Sequence, residues 1–337
     1  MKRLLVVLTM LLVVLNGQLA AQGCGGPVSD EGLKMFGFVQ GQYEYHMTDP
    51  STNSFSFERA RIGAKGAIPY DFSYYVVLEL SPYISANPYL LDAFISYNRF
   101  DWARLSVGSF KTPFGLETNT ACNGLMTVYR STVTLQTVAP FRDLGLVFMG
   151  GNDKTLIAYQ LGLMNGRGLG AFDNNKKKDI VGRLLIKPFD FLRFGGSFRY
   201  GYPSMNNNKD SRTTFGGEVE VKSGGFTLLG EYIMDEGDYN RDLGGGCSGN
   251  LIELGEKRSG GYITAAYNFE NLKLEPVFKF DFFDSGNTSA YKESNMTIGI
   301  NYYFNDWTRL QANYIYRAEQ PTEVVNDEFV IQLQVKF

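Results

Sequence analysis

The chain ends Phe329-Val330-Ile331-Gln332-Leu333-Gln334-Val335-Lys336-Phe337. Phe329, Ile331, Leu333, Val335 and Phe337 take every second place, with Val330, Gln332, Gln334 and Lys336 between them. Successive side chains of a strand point to opposite faces, so this period of two writes one apolar face and one largely polar face. An apolar row that ends on an aromatic last residue suits a strand whose outer side meets hydrocarbon.

The same alternation recurs upstream. Residues 295–304 set Met296, Ile298, Ile300, Tyr302 and Phe304 against Thr297, Gly299 and Asn301. Residues 309–317 set Leu310, Ala312, Tyr314 and Tyr316 against Arg309, Gln311, Asn313 and Arg317. Residues 273–282 and 191–200 repeat the pattern, although Pro276 removes one ladder donor. Short turn signals at 68–71, 98–101, 150–154, 188–190, 223–225, 270–272 and 305–307 alternate with longer polar stretches at 166–178, 201–212, 237–257 and 284–294. Short turns on one rim and long loops on the other is the layout of an outer-membrane barrel. The reading is therefore all-β: a transmembrane antiparallel β-barrel of about 16 strands, with 14 or 18 as the neighbouring even counts.

Composition agrees. Aromatic residues make up 15% of the chain, with 38 glycines, and no apolar run after Gln22 is long enough for a helical span. A soluble β-sandwich or propeller also alternates, but neither accounts for so many aromatic rows. The N-terminus carries Lys2 and Arg3, an apolar run from Leu4 to Leu15, and Ala20-Ala21. That is a secretory signal peptide, residues 1–21, with cleavage after Ala21. Processing as a lipoprotein would cut before Cys24, but Ala21-Gln22-Gly23 lacks the usual leucine. Residues 22–32 form a short periplasmic segment, too short to plug a barrel, and residues 33–337 the barrel itself. The expected location is the bacterial outer membrane, with lipid as surroundings. A net charge of −3 does not suggest nucleic acid as a partner.

Parity assigns the inner face. In residues 54–66 it places Phe57, Arg59, Arg61 and Lys65 inside and Ala60, Ile62 and Ala64 outside. Arg104, Arg183, Lys187, Arg193, Arg199, Arg309 and Arg317 also read inward, because an arginine against lipid at mid-membrane costs about 2–4 kcal/mol. Inward acids include Glu44, Glu79, Asp92, Glu218, Glu220, Glu231, Glu275 and Asp281, and their distribution suggests a basic and an acidic wall. Such cations either pair with acids and stiffen the wall or meet anionic solutes directly. One connection, residues 111–143, is long yet carries Phe114, Leu116, Leu125, Met126, Val128, Tyr129 and Leu135. Its apolar content predicts a loop that packs inside the barrel and narrows it, with Lys111, Arg130 and Arg142 turned to the channel.

Three motifs are familiar: Phe57-Glu58-Arg59-Ala60-Arg61-Ile62-Gly63-Ala64-Lys65-Gly66, Val107-Gly108-Ser109-Phe110-Lys111-Thr112-Pro113-Phe114-Gly115-Leu116-Glu117 and Arg142-Asp143-Leu144-Gly145. Together with the strand pattern they resemble the porin O and porin P family of phosphate-selective porins over nearly the whole mature chain. The resemblance implies a 16-stranded, usually trimeric barrel that passes small hydrophilic solutes through a constricted pore. It also implies that Arg59, Arg61 and Lys111 face the lumen. Selective members gather lysines at the constriction, and here the loop offers Lys111 with Arg130 and Arg142, so the expectation is a general or mildly anion-preferring porin. The reading from a different class is a receptor or adhesin with a blocked lumen that binds partners through its long loops.

No catalytic or metal site is expected, and no cofactor. His46 is the only histidine, which leaves a Ser-His-Asp triad or a multi-histidine zinc site nowhere else to form. Cys122 and Cys247 fall in two long-loop regions open to an oxidising compartment, where a disulfide could join them; Cys24 is left over.

Overall fold

The computed structural model describes residues 33–170, 172–173, 175–203, 211–239, 253–286 and 291–337. The expected signal peptide and the segment 22–32 lie outside them. The first half of the wall is β1 (Lys34–His46), β2 (Thr52–Ile68), β3 (Phe72–Glu79), β4 (Tyr89–Phe100), β5 (Ala103–Lys111), β6 (Arg142–Gly150), β7 (Ile157–Met164) and β8 (Asp179–Phe189). The second half is β9 (Leu192–Gly201), β10 (Arg212–Ser223), β11 (Phe226–Gly237), β12 (Lys257–Tyr267), β13 (Leu274–Asp284), β14 (Lys292–Tyr303), β15 (Thr308–Gln320) and β16 (Glu328–Lys336). Each strand pairs antiparallel with its chain neighbours, and β1 pairs with β16, so the sheet closes on itself as a 16-stranded barrel.

Closure follows from the solvent. Hydrocarbon offers no partner to a backbone N–H or C=O, and only a sheet without edges leaves none unpaired. The seam runs from Phe38 opposite Lys336 to His46 opposite Glu328. Beyond it, Gly37 and Phe337 exchange both of their backbone hydrogen bonds, at 2.9 and 3.0 Å. The two faces of β16 fall as its alternation requires: Gln332 is fully buried, while Leu333 is 47% exposed on the outside. Aromatic pairs Phe100–Trp102, Phe189–Phe191, Tyr267–Phe269 and Tyr302–Phe304 crowd the short-turn rim. They form a girdle of the kind that marks a membrane interface.

Parity fails at Phe57. Expected inside, it lies exposed on the outer face, and Glu58 turns in instead. The register of β1 and β2 shifts between Gln40 and Gly41, which pair with Arg59 and Phe57 and leave Glu58 as the extra residue. A bulge of this kind resets the alternation of its strand. Arg59 and Arg61 therefore face inward as expected, and an acid now sits beside them.

Phe337 also explains a glycine. A Cβ on Gly37 would stand 2.5 Å from the Phe337 ring and from the carbonyl oxygen of Arg61. Gly37→Leu should therefore destabilise the seam by roughly 1–3 kcal/mol through overpacking. In unheated gel electrophoresis the variant should show less of the compact, folded band, whereas Gly41→Ala, whose Cβ would meet only ordinary contacts, should leave it unchanged.

Candidate channel constriction

The segment between β5 and β6 lies inside the barrel. It contains helix α1 (Leu116–Asn119), a 3-10 turn at Cys122–Gly124 and helix α2 (Thr132–Thr137). The apolar residues that predicted this placement account for it: Phe114, Leu116, Leu125 and Val128 are all buried. Phe114, Val133, Val138 and Phe141 join Phe94, Met149, Met164, Val181 and Ile233 of the wall in one apolar cluster. The helix α2 packs against β11, β12 and β13.

A folded-in loop also buries backbone groups, and each must find a partner. Short helices make the demand acute, because their first N–H and last C=O groups have no partner of their own. Wall carboxylates meet the N–H ends. Glu231 accepts from the N–H groups of Leu116 and Glu117 at 3.2 and 3.1 Å, and Asp281 accepts from that of Thr132 at 3.0 Å. Gly115 permits the first contact: its φ is 72°, and the Glu231 carboxylate fills the space a side chain would take. Arginines meet the C=O end of α2. Arg199 donates to the carbonyls of Val138 and Ala139, both at 2.9 Å, and Arg212 donates to those of Thr137 and Ala139.

Inside the loop, Glu117 accepts from the Ser131 N–H at 2.8 Å and hydroxyl at 2.7 Å, and pairs with Lys279 of β13 at 2.6 Å. Tyr129 donates to Glu328 of β16 at 2.7 Å. The Val128 N–H donates to Asn313 of β15 at 2.8 Å. The loop is thus bonded to both sides of the lumen.

The inward cations fall into two groups. The first is paired with carboxylates: Arg59 with Glu58 at 2.9 Å, Arg61 with Glu79 at 2.7 Å, Arg142 with Asp92 at 2.8 Å and Arg183 with Glu218 at 2.6 Å. Arg193 reaches Asp153 at 2.8 Å and Glu220 at 3.1 Å near the short-turn rim. The second group is held by neutral acceptors. Lys111 donates to the Thr120 carbonyl at 2.9 Å, Arg199 to the carbonyls already named, and Arg309 to Gln334 at 3.2 Å. Arg104, assigned to neither group, donates to the Gly151 carbonyl at 2.7 Å. Lys65 stands apart, its ammonium 5.7 Å from the Phe36 ring. The expected division into a basic and an acidic wall is therefore not clean, since acids lie among the cations of β2 to β6. Nor does it hold among the groups that meet the loop, since Lys279 on β13 and Arg309 on β15 donate to loop carbonyls as Lys111 and Arg199 do.

Arg212 and Arg258, missed from sequence, share the Asp235 carboxylate at 2.9 and 2.5 Å. Arg212 lies on the same parity row as Thr214 and Glu218, one and three steps of alternation away, so its place was readable. Cys122 is a free, buried thiol and not a surface loop residue. Its Sγ lies 3.1 Å from Arg61. Burial works against a thiolate there, but Arg59, Arg61, Arg130 and Lys111 outweigh it and hold the thiol well below its ordinary range. Cys247, its expected disulfide partner, lies outside the described residues. His46 sits 3.6 Å from Glu44 with its side chain partly exposed.

Beneath the loop, on the short-turn side, the lumen opens into a chamber of about 310 Å³. Arg104, Arg183, Arg193 and Lys222 line it against Asp153 and Glu220, with Asn119, Thr120 and Ala121 of the loop as its roof. Cations outnumber acids on that surface.

A family model described as phosphate-selective porin O and P matches residues 32–209 and 204–337. No curated protein matches the chain. Among solved structures, an anion-selective porin from Comamonas acidovorans superposes with a TM-score of 0.71 at 12% identity, covering 91% of this chain and 99% of that one. OmpF of Salmonella typhi in complex with daunomycin gives a TM-score of 0.67 at 14% identity, over 90% and 97% of the two chains. OmpT of Vibrio cholerae in its trimer form gives 0.65 at 12% identity, over 91% and 99%. Likeness at these identities is likeness of fold.

Glu117 is the test of how the loop is held. Glu117→Ala strands the Lys279 ammonium among buried groups, which costs about 3–5 kcal/mol. Unfolding of the barrel in detergent with urea should shift to lower denaturant, and limited proteolysis should cut between residues 112 and 141, where the unaltered protein resists. The double variant Glu117→Gln with Lys279→Met should recover much of the loss.

Proposed function

The chain belongs to the family of phosphate-selective porins O and P, and from that premise we propose that its channel lets small hydrophilic solutes diffuse with a preference for anions. The protein is an outer-membrane porin, a closed 16-stranded barrel with a loop folded into its lumen. The observation that carries the anion preference is the lining of the chamber beneath that loop, where Arg104, Arg193 and Lys222 face Asp153 and Glu220, and Arg183 is matched by Glu218. Arg199 and Arg309 lie along the loop bonded to neutral acceptors and not to a carboxylate. A low-dielectric wall focuses such charge into the lumen and raises the local concentration of anions. Arg59, Arg61, Arg142 and Arg183 contribute less in this reading, because each is matched by a carboxylate. Lys65 and Arg193 line the path towards the short-turn rim.

The homotrimer is part of the same proposal. OmpT of Vibrio cholerae, a barrel of the same fold, is recorded in a trimer form.

Planar-bilayer recording tests the reading. Deleting residues 118–136 should raise single-channel conductance several-fold, because it removes the loop from the lumen; an unchanged conductance refutes the constriction. In a potassium chloride gradient the reversal potential should report anions as the more permeant species. Lys111→Glu with Arg104→Glu should move it towards cations. The preference of the unaltered protein should shrink at 1 M salt, where the Debye length falls to about 3 Å. A channel that never opens would favour the blocked-lumen receptor.

A further inference from the structure

The outer wall carries a hollow that the barrel itself does not explain. It holds about 560 Å³ and crosses β10 to β13, walled by Val219, Tyr232, Ile263, Phe280 and Phe282. Its floor is glycine: Gly217, Gly230 and Gly261. Glycine inside a strand weakens it and usually marks a sharp bend or a close approach. Gly261 has such a reason, since its Cβ would crowd the Glu231 carbonyl at 2.9 Å. Gly217 has none. A Cβ there would meet nothing within 4 Å, and its φ is not among the positive ones. Gly196, opposite Gly217 on β9, is equally free, its nearest contact an ordinary 3.5 Å. Nothing within the chain requires this patch to be bare.

We propose that the hollow binds one acyl tail of an outer-membrane lipid. Gly217 is the sixth of twelve residues in β10, so the hollow lies midway through the wall, where only hydrocarbon or another protein can reach it. Its walls are apolar; Glu218 and Glu231 also border it, but their carboxylates turn into the lumen, to Arg183 and to the loop N–H groups. Its volume suits a small ligand, for which pockets of about 300–1,000 Å³ are usual. A second copy of the chain would need about 800 Å² of meshing surface on each partner; here the exposed Tyr232, Ile263 and Phe282 rise around a single narrow concavity instead. The flanking aromatic rings give a flexible methylene chain flat walls to lie against. The proposal rests on the membrane placement of this wall and not on conduction, so loss of the lipid and loss of channel activity are separate results.

Native mass spectrometry of the folded barrel, mixed in detergent with phosphatidylethanolamine bearing two 16-carbon tails, tests it. The unaltered protein should retain one lipid per chain, and should prefer that lipid at least ten-fold over its dihexanoyl counterpart. Gly217→Leu and, independently, Val219→Phe should fill the hollow and lower retention at least ten-fold, with chain stoichiometry and single-channel conductance unchanged. Equal retention of long and short tails overturns the proposal even if neither variant folds. Undiminished retention in a folded variant overturns it too, and a change of stoichiometry in place of lipid loss would assign the hollow to a second copy.

Discussion

A backbone amide or carbonyl hidden from water needs a partner, and this requirement shapes the protein twice. On the outside it demands a sheet without edges, which the pairing of β1 with β16 and the two bonds between Gly37 and Phe337 complete. On the inside it governs the loop between β5 and β6, whose short helices bring unpaired N–H and C=O groups into the lumen. The wall supplies carboxylates where the loop offers N–H and arginines where it offers C=O. Much of the charge that lines this barrel is therefore structural.

Apolar packing and polar bonding share the task of fixing that loop. Phe114, Val133, Val138 and Phe141 bury apolar surface against the wall, which favours a folded-in loop without choosing its register. The directional bonds of Glu231, Asp281 and Arg199 choose it, since each meets a particular backbone group. Buried ion pairs alone are weak evidence for stability, because desolvation offsets most of their attraction. Removing one partner is another matter: the charge left behind is costly. The buried pairs and the shared Asp235 carboxylate around the lumen therefore act mainly as specifiers of geometry.

The fold was legible because its signal is local. The alternation in residues 329–337 fixes which side chains meet lipid, and the same period repeats along the wall. The inner site was legible only where parity holds. Arg59, Arg61, Arg183 and Arg199 were placed on that rule. Phe57 was misplaced because a bulge at Glu58 adds one residue to β2, and nothing in the residue types announces it. The loop's position could be read from its apolar residues, but its partners could not. Glu117 and Lys279 are 162 residues apart, and no periodicity links a loop acid to a strand lysine across the lumen. Cys122 was misread for the same reason, since its surroundings come from β2, β5 and the loop together.

The two groups of cations divide the work of a narrow channel. A cation matched by a carboxylate adds rigidity and little net field. A cation matched by a carbonyl rigidifies as well, yet leaves its charge for whatever passes. Lys111 and Arg199 take backbone carbonyls of the loop as partners, which holds the loop in place. Glu231 and Asp281 meet the converse need, accepting from N–H groups of the loop. Where the lining groups sit therefore follows from how the loop's backbone is satisfied, before any solute is considered.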